Sequence, residues 1–219
     1  MPDRPALVVF DCDGVLVDTE GPQAVVLAAV LAEHGAPVTP ADVLGRYKGF
    51  ALEAIEEDLD ARAGVVLPAS WQQEFRDRRG PAFERDGIPA IPGVRDVVEA
   101  LVAAGIPYGV ASQGRLDKTA MTLRLSGLAD LFPEAVRFSA DQVERPKPAP
   151  DLFLLAARTL GGPPSGTVVV EDSVPGVTAA RAAGMRILGH AADEDPEDLR
   201  AAGAEPFAAM ADLPTLLGL

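Results

Sequence analysis

Acidic, hydroxyl and basic side chains recur just after short apolar runs in this 219-residue chain. Asp11 and Asp13 follow residues 6–10 (ALVVF), and Ser112 follows residues 107–111 (PYGVA). Lys147 lies in the segment after residues 135–138 (AVRF), and Glu171 and Asp172 follow residues 167–170 (TVVV). One polar residue after an apolar run is ordinary. Four sets delivered to one edge of a sheet amount to a site. Two or three carboxylates without His or a reactive thiol suit a hard cation held by oxygen, and Mg²⁺ takes one or two carboxylates, waters and phosphate oxygens. Lys147 and Ser112 supply the donors that a phosphate needs. Two carboxylates facing a phosphate dianion repel it by about 4 kcal/mol per unit pair at 4 Å and an effective dielectric near 20. A divalent ion removes that conflict. A carboxylate so placed can attack phosphorus and form an aspartyl phosphate. A second carboxyl two residues on shares its side of an extended segment, so it can serve the leaving oxygen and then the attacking water.

These residues need a parallel sheet to bring them together. Short apolar runs of this kind, with residues 185–188 (MRIL) as a fifth, suit strands buried on both faces. Amphipathic stretches at residues 94–104, 115–126, 150–160 and 174–183 separate them, and Gly105, Gly127 and Gly184 supply stop signals. The alternation predicts an α/β fold, a doubly wound parallel-sheet Rossmann-like core. The interval between the first strand and Pro107 is far longer than a crossover requires. Residues 18–86 are therefore expected to form an inserted α-helical cap domain, with residues 1–17 and 87–219 as the catalytic core. Leu52, Ile55 and Leu59 recur at helical spacing among acids, and residues 25–31 and 71–83 give two more helical candidates. Trp71 and Phe75 suit a helical core better than a substrate platform. The acidic run 193–198 (DEDPED) suits a solvated loop or helix start.

Composition narrows the function. There are 33 acids against 19 bases, a net charge of −14, which argues against nucleic-acid backbone binding and against an anionic membrane surface. Cys12 is the sole cysteine, so an intramolecular disulfide and a Cys-based zinc site are excluded. Asp18 stands where a Cys-x5-Arg phosphatase loop needs arginine. No apolar stretch is long enough to span a membrane, and neither a signal peptide nor a Gly-rich nucleotide loop is recognisable. A cytoplasmic, monomeric protein acting on a small molecule is the expectation. His34 and His190 lack metal-ligand spacing and are read as structural.

Residues 11–19 (DCDGVLVDT), 110–114 (VASQG), 145–153 (RPKPAPDLF) and 168–185 (VVVEDSVPGVTAARAAGM) resemble the four ordered motifs of the haloacid dehalogenase superfamily. The resemblance is to its helical-capped phosphatase and β-phosphoglucomutase branch. It implies Asp11 as nucleophile and Asp13 as general acid/base. It also implies Mg²⁺ held by the Asp11 carboxylate, the Asp13 backbone carbonyl and Asp172, with Glu171 a further acid near the metal, directly or through water. Ser112 and Lys147 would bind phosphoryl oxygens, and a cis bond before Pro148 is implied. The insert would be a mobile cap that selects substrate, with Lys48 in its loop poised to meet it.

Asp13 points to phosphoryl chemistry, because the superfamily's dehalogenases lack this second acid. Gln23 stands where β-phosphoglucomutases carry a cap histidine, and Leu52 lies near their cap arginine. Gln113 follows Ser112 where asparagine is usual. The mixture favours a Mg²⁺-dependent phosphatase of a small phosphorylated metabolite, in the sugar or sugar-acid phosphate class, acting through phospho-Asp11. A β-phosphoglucomutase-type mutase is the alternative. A phosphoaspartate signalling module is a further one, against which Asp13 and the insert count.

Overall fold

The computed structural model describes residues 4–47, 50, 52–192 and 195–219. It divides into two compact units, Met1–Val17 with Pro89–Leu219, and Asp18–Ile88.

The first unit is built on a six-stranded, all-parallel sheet: β1 (Leu7–Phe10), β2 (Tyr108–Ser112), β3 (Arg137–Ser139), β4 (Thr167–Glu171), β5 (Arg186–His190) and β6 (Glu205–Phe207). Their order is β3-β2-β1-β4-β5-β6. All four residues of β1 are buried, as expected for a central parallel strand covered on both faces. The order reverses direction between β1 and β4, and open α/β sheets bind ligands outside the carboxyl ends of their strands at such a switch point. Phe10 pairs with Val170, so Asp11 and Glu171 leave adjacent strands side by side. The Asp11 amide still donates to the Val170 carbonyl at 2.9 Å, which fixes the strand exit.

The connecting helices of this unit are α5 (Val94–Ala103), α6 (Leu116–Leu125), α7 (Asp151–Leu160), α8 (Val174–Ala182), α9 (Pro196–Ala202) and the short α10 (Leu213–Leu216). Helix α7 packs across β1, β2 and β3, and α8 across β4 and β5. The apolar side chains between them include Leu152, Phe153, Ala156, Val177 and Ala180. The alanines of α8 let helix and sheet approach closely. Gly105, Gly127 and Gly184 each take positive φ after their helices, the conformation that a helix stop uses.

The second unit holds α1 (Glu20–Glu33), α2 (Pro40–Tyr47), α3 (Leu52–Ala63) and α4 (Trp71–Asp86). Its core gathers Leu27, Leu31, Ile55, Leu59, Trp71 and Phe75. Trp71 is fully buried with its indole N–H donating to Glu56 at 3.1 Å, a core residue as its spacing suggested. Among the described residues no helix is long and apolar enough to cross a membrane.

Two elements differ from the sequence expectation. Strand β6 and helix α2 are not predicted: Pro206 interrupts a three-residue strand, and Gly45 and a starting proline blur an eight-residue helix. The acidic run proves to be a helix start, where the Asp195 side chain accepts from the Glu197 amide and Pro196 takes the first turn. Asp193 and Glu194 lie outside the described residues.

Candidate active site

The site is built on the carboxyl edge of the sheet. Lys147 enters it from the segment between β3 and α7, flanked by Pro146 and Pro148, and the peptide bond before Pro148 is cis. Its Nζ donates to Asp11 Oδ1 at 2.5 Å and to Glu171 Oε1 at 2.8 Å. The ammonium also lies 4.6 Å from the centre of the Phe153 ring. All three charged side chains are almost completely enclosed, at 4%, 10% and 1% exposure for Lys147, Asp11 and Glu171.

Two acids and one base in such a place leave one negative charge in excess. Burial pushes the Asp11 carboxyl up to about 7, against the pull of Lys147 and reinforced by Glu171. Burial opposes the charge on Lys147, but the two carboxylates outweigh it and hold its proton more firmly than usual. Asp11 Oδ2 makes no hydrogen bond among the described residues, so this carboxylate keeps an acceptor edge beyond its contact with Lys147.

Glu171 is fully engaged. Oε1 accepts from Lys147, while Oε2 accepts from the Ser173 amide at 2.7 Å and the Ser173 hydroxyl at 2.9 Å. Ser173 in turn caps α8 by accepting from the Gly176 amide. A Cβ on Gly176 would fall 1.7 Å from Glu171 Oε1, so the carboxylate rests directly on the first turn of α8. The sequence places Glu171 near a metal; the structure shows it first as the anchor of Lys147.

The turn after β1 brings the remaining acids in. Gly14 has φ 76°, and its amide donates to Val17 O at 2.8 Å, which closes the turn. A Cβ on Gly14 would fall 1.8 Å from Asp172 Oδ2. Glycine here therefore serves two needs, a left-handed backbone and room for the Asp172 carboxylate against the turn. Asp13 Oδ2 accepts from Lys118 Nζ at 2.7 Å. Ser112 ends β2, buried, with its Oγ accepting from the Gly114 amide at 3.0 Å. Cys12 is buried beside Thr122, and burial together with Asp13 and Asp11 pushes its thiol far above the usual range, so it is not a nucleophile.

The donor set fits a hard cation. Asp172 is seated against the Asp13–Gly14 backbone, next to the strand end that carries Asp11, and every candidate donor is oxygen. Among the described residues no three His, Cys, Asp or Glu side chains already form a metal-holding cluster. Two carboxylates, a backbone carbonyl and substrate oxygens meet the needs of Mg²⁺ without one.

A family model described as haloacid dehalogenase-like hydrolase matches residues 5–184. The chain belongs to this family. It is therefore an enzyme, a hydrolase of the branch whose named members include phosphatases. Hexitol phosphatase A of Escherichia coli (strain K12) is 32% identical over 82% of this chain and 80% of its own length. The 6-phosphogluconate phosphatase of the same organism is 28% identical over 95% of this chain and 93% of its own. Among solved structures, a haloacid dehalogenase family hydrolase from Deinococcus radiodurans R1 with bound phosphate and sodium superposes with a TM-score of 0.89. It is 32% identical over 99% of this chain and 96% of that one.

Three contacts of this hydrolase are not foreseen from its sequence. Lys118 is one of only three lysines, and its place in the first turn of α6, a few residues after Ser112, is the signal that could have singled it out. His190, read as structural, ends β5, and its Nδ1 lies 2.8 Å from the Gly14 carbonyl. A carbonyl only accepts, so Nδ1 carries the proton and the ring clamps the turn after β1. Ser139 at the end of β3 donates to the Gly114 carbonyl at 2.8 Å and holds the loop after Ser112. Lys48 lies outside the described residues.

Proposed function

We propose that this hydrolase is a Mg²⁺-dependent phosphatase of small sugar or sugar-acid phosphates, working through a phosphoaspartate on Asp11. The observation that carries the reading is Lys147 bonded at once to Asp11 and Glu171 at the β1/β4 switch point. The relatives named for hexitol and 6-phosphogluconate hydrolysis support the substrate class.

A carboxylate oxygen of Asp11 bonds to phosphorus as the ester P–O bond breaks. Asp13 gives its proton to the departing alkoxide, so a neutral alcohol leaves. The Asp13 carboxylate then takes a proton from water, whose oxygen attacks phosphorus as the Asp11 O–P bond breaks, releasing phosphate and returning Asp11 as a carboxylate and Asp13 as an acid. Lys147 and Ser112 hold equatorial phosphoryl oxygens throughout. Glu171 keeps Lys147 in place, and His190 and the Gly14 turn keep Asp13 aimed. Asp11, the Asp13 carbonyl and Asp172 would hold Mg²⁺, which would supply positive charge against the phosphate dianion in an acidic pocket. The inserted unit acts as the cap that chooses the leaving group.

Hydrolysis of p-nitrophenyl phosphate with Mg²⁺ tests the reading. Wild type turns over and loses activity with EDTA, and Asp11→Asn loses it by at least about a thousandfold. An Asp11→Asn variant as fast as wild type removes Asp11 from the reaction.

A further inference from the structure

The turn after β1 pivots on Gly14, and a glycine keeps its direction only as well as its two flanking peptides are held. The peptide before Gly14 is fixed from within the turn. The Gly14 amide donates to Val17 O at 2.8 Å, and the Leu16 and Val17 amides both donate to Cys12 O. The peptide after it is fixed from outside. Among the described residues no backbone amide reaches the Gly14 carbonyl, and its donor is His190 Nδ1 at 2.8 Å, 176 positions along the chain.

His190 is well seated for this task. Strand register pairs Glu171 with Gly189, so Asp172 and His190 follow β4 and β5 at the same level of the sheet. The His190 ring is buried, with the Phe207 ring of β6 packed against it at 5.3 Å between centres. His190 pairs with Phe207 in the sheet, and the Ala191 amide donates to Phe207 O at 2.8 Å, so the short edge strand backs the ring. A ring ordered in advance makes its hydrogen bond at little further entropic cost. The Nδ1 proton is present in this neutral tautomer and in the charged ring alike, so the contact does not depend on ring charge.

The same glycine receives the Asp172 carboxylate, which lies where a Cβ would stand. Asp172 and the Asp13 carbonyl thus meet at one residue whose outgoing peptide is set by His190. We propose that His190 is a positioning residue for the metal: by holding the Gly14 carbonyl it keeps the Asp13 carbonyl and the Asp172 carboxylate in the arrangement that takes Mg²⁺. The proposal rests on the phosphatase reading above, which supplies the metal site. It concerns a side chain that would touch neither the metal nor the substrate.

The test uses the full chain and three substitutions. Asparagine places an amide N–H near the position of Nδ1, phenylalanine fills the volume with no donor, and glutamine places its N–H near Nε2 instead. Calorimetric titration with Mg²⁺ is expected to show affinity lowered by about three- to tenfold in His190→Phe, and within about twofold of wild type in His190→Asn. In EDTA, amide hydrogen exchange over residues 12–17 is expected to quicken by about threefold or more in His190→Phe and not in His190→Asn, while α8 exchanges as in wild type. Should His190→Phe not fold, His190→Gln carries the same expectation. Unchanged Mg²⁺ affinity in the variant without the donor, an equal loss in His190→Asn, or exchange that quickens as much in α8 as in the turn overturns the proposal and leaves His190 a packing residue. Hydrolysis of p-nitrophenyl phosphate by wild type is measured alongside. Its absence counts against the phosphatase reading, while calorimetry and exchange still decide the role of His190.

Discussion

Lys118 Nζ donates to Asp13 Oδ2 at 2.7 Å, across 105 positions of sequence. The two side chains are 35% and 32% exposed, so the pair contributes little to stability. Its worth lies in orientation. The stem of Lys118 runs beside Gly114, where a Cβ would meet its Cδ at 3.0 Å, so the ammonium is aimed by the loop that follows Ser112.

A general acid matters most when the leaving group is poor. Lys118→Met is therefore expected to slow hydrolysis of alkyl phosphates by about tenfold or more, and of p-nitrophenyl phosphate by much less. Lys118→Arg is expected to restore part of the loss. Steady-state kcat on a series of esters graded by leaving-group pKa checks this. A loss that is the same along the whole series removes Lys118 from the positioning of Asp13.

Lys147 separates two buried acids. Replacing it by methionine leaves Asp11 and Glu171 enclosed without a counter-charge, which costs about 3–5 kcal/mol near neutral pH. Urea unfolding in EDTA measures the change. Activity is expected to vanish as well, even where the variant is still folded. A Lys147→Met protein as stable as wild type contradicts the charge balance described here.

The pH dependence of the metal-free protein has a definite sign. Burial, opposed by Lys147 and helped by Glu171, pushes the Asp11 carboxyl up to about 7, while the unfolded value is near 4. An acid raised in this way adds stability that is complete below the unfolded value and lost as pH rises through the folded one. Asparagine has no such loss. From pH 5 to pH 8 in EDTA, wild type is expected to lose about 1–3 kcal/mol relative to Asp11→Asn. Urea midpoints at three pH values follow it, and a constant gap between the two proteins speaks against a raised Asp11.

Gly14→Ala adds a Cβ into the Asp172 carboxylate and strains a turn at φ 76°. Displacing Asp172 is expected to weaken Mg²⁺ binding by about ten- to a hundredfold, with a matching rise in the Mg²⁺ needed for half-maximal rate. Calorimetric titration with Mg²⁺ separates this from a general loss of fold. Unchanged Mg²⁺ affinity in a folded variant removes Asp172 from the metal site.

Much of this arrangement is legible in the sequence, because strand ends announce themselves. Apolar runs stop at Asp11, Ser112 and Glu171, and in a parallel sheet those stops must share an edge. What the sequence hides is which donor serves which acceptor. Lys118 and His190 sit on elements whose own patterns are complete without them, and their partners are more than a hundred positions away. The family resemblance makes Glu171 a metal-side acid. Only the packing of α8 onto its carboxylate shows that it faces Lys147 and Ser173. Strand β6 and helix α2 are short and interrupted by Pro206 and Gly45, so their formation depends on tertiary contacts that no local pattern records.

The account turns on a covalent bond between Asp11 and phosphorus. Wild-type enzyme mixed with Mg²⁺ and substrate, quenched in acid within milliseconds and digested, is predicted to yield the peptide containing Asp11 with one added phosphoryl group. The label should be absent without Mg²⁺ and absent from Asp11→Asn. Rapid turnover with no phosphorylated peptide at any quench time, or the label on another residue, contradicts the mechanism.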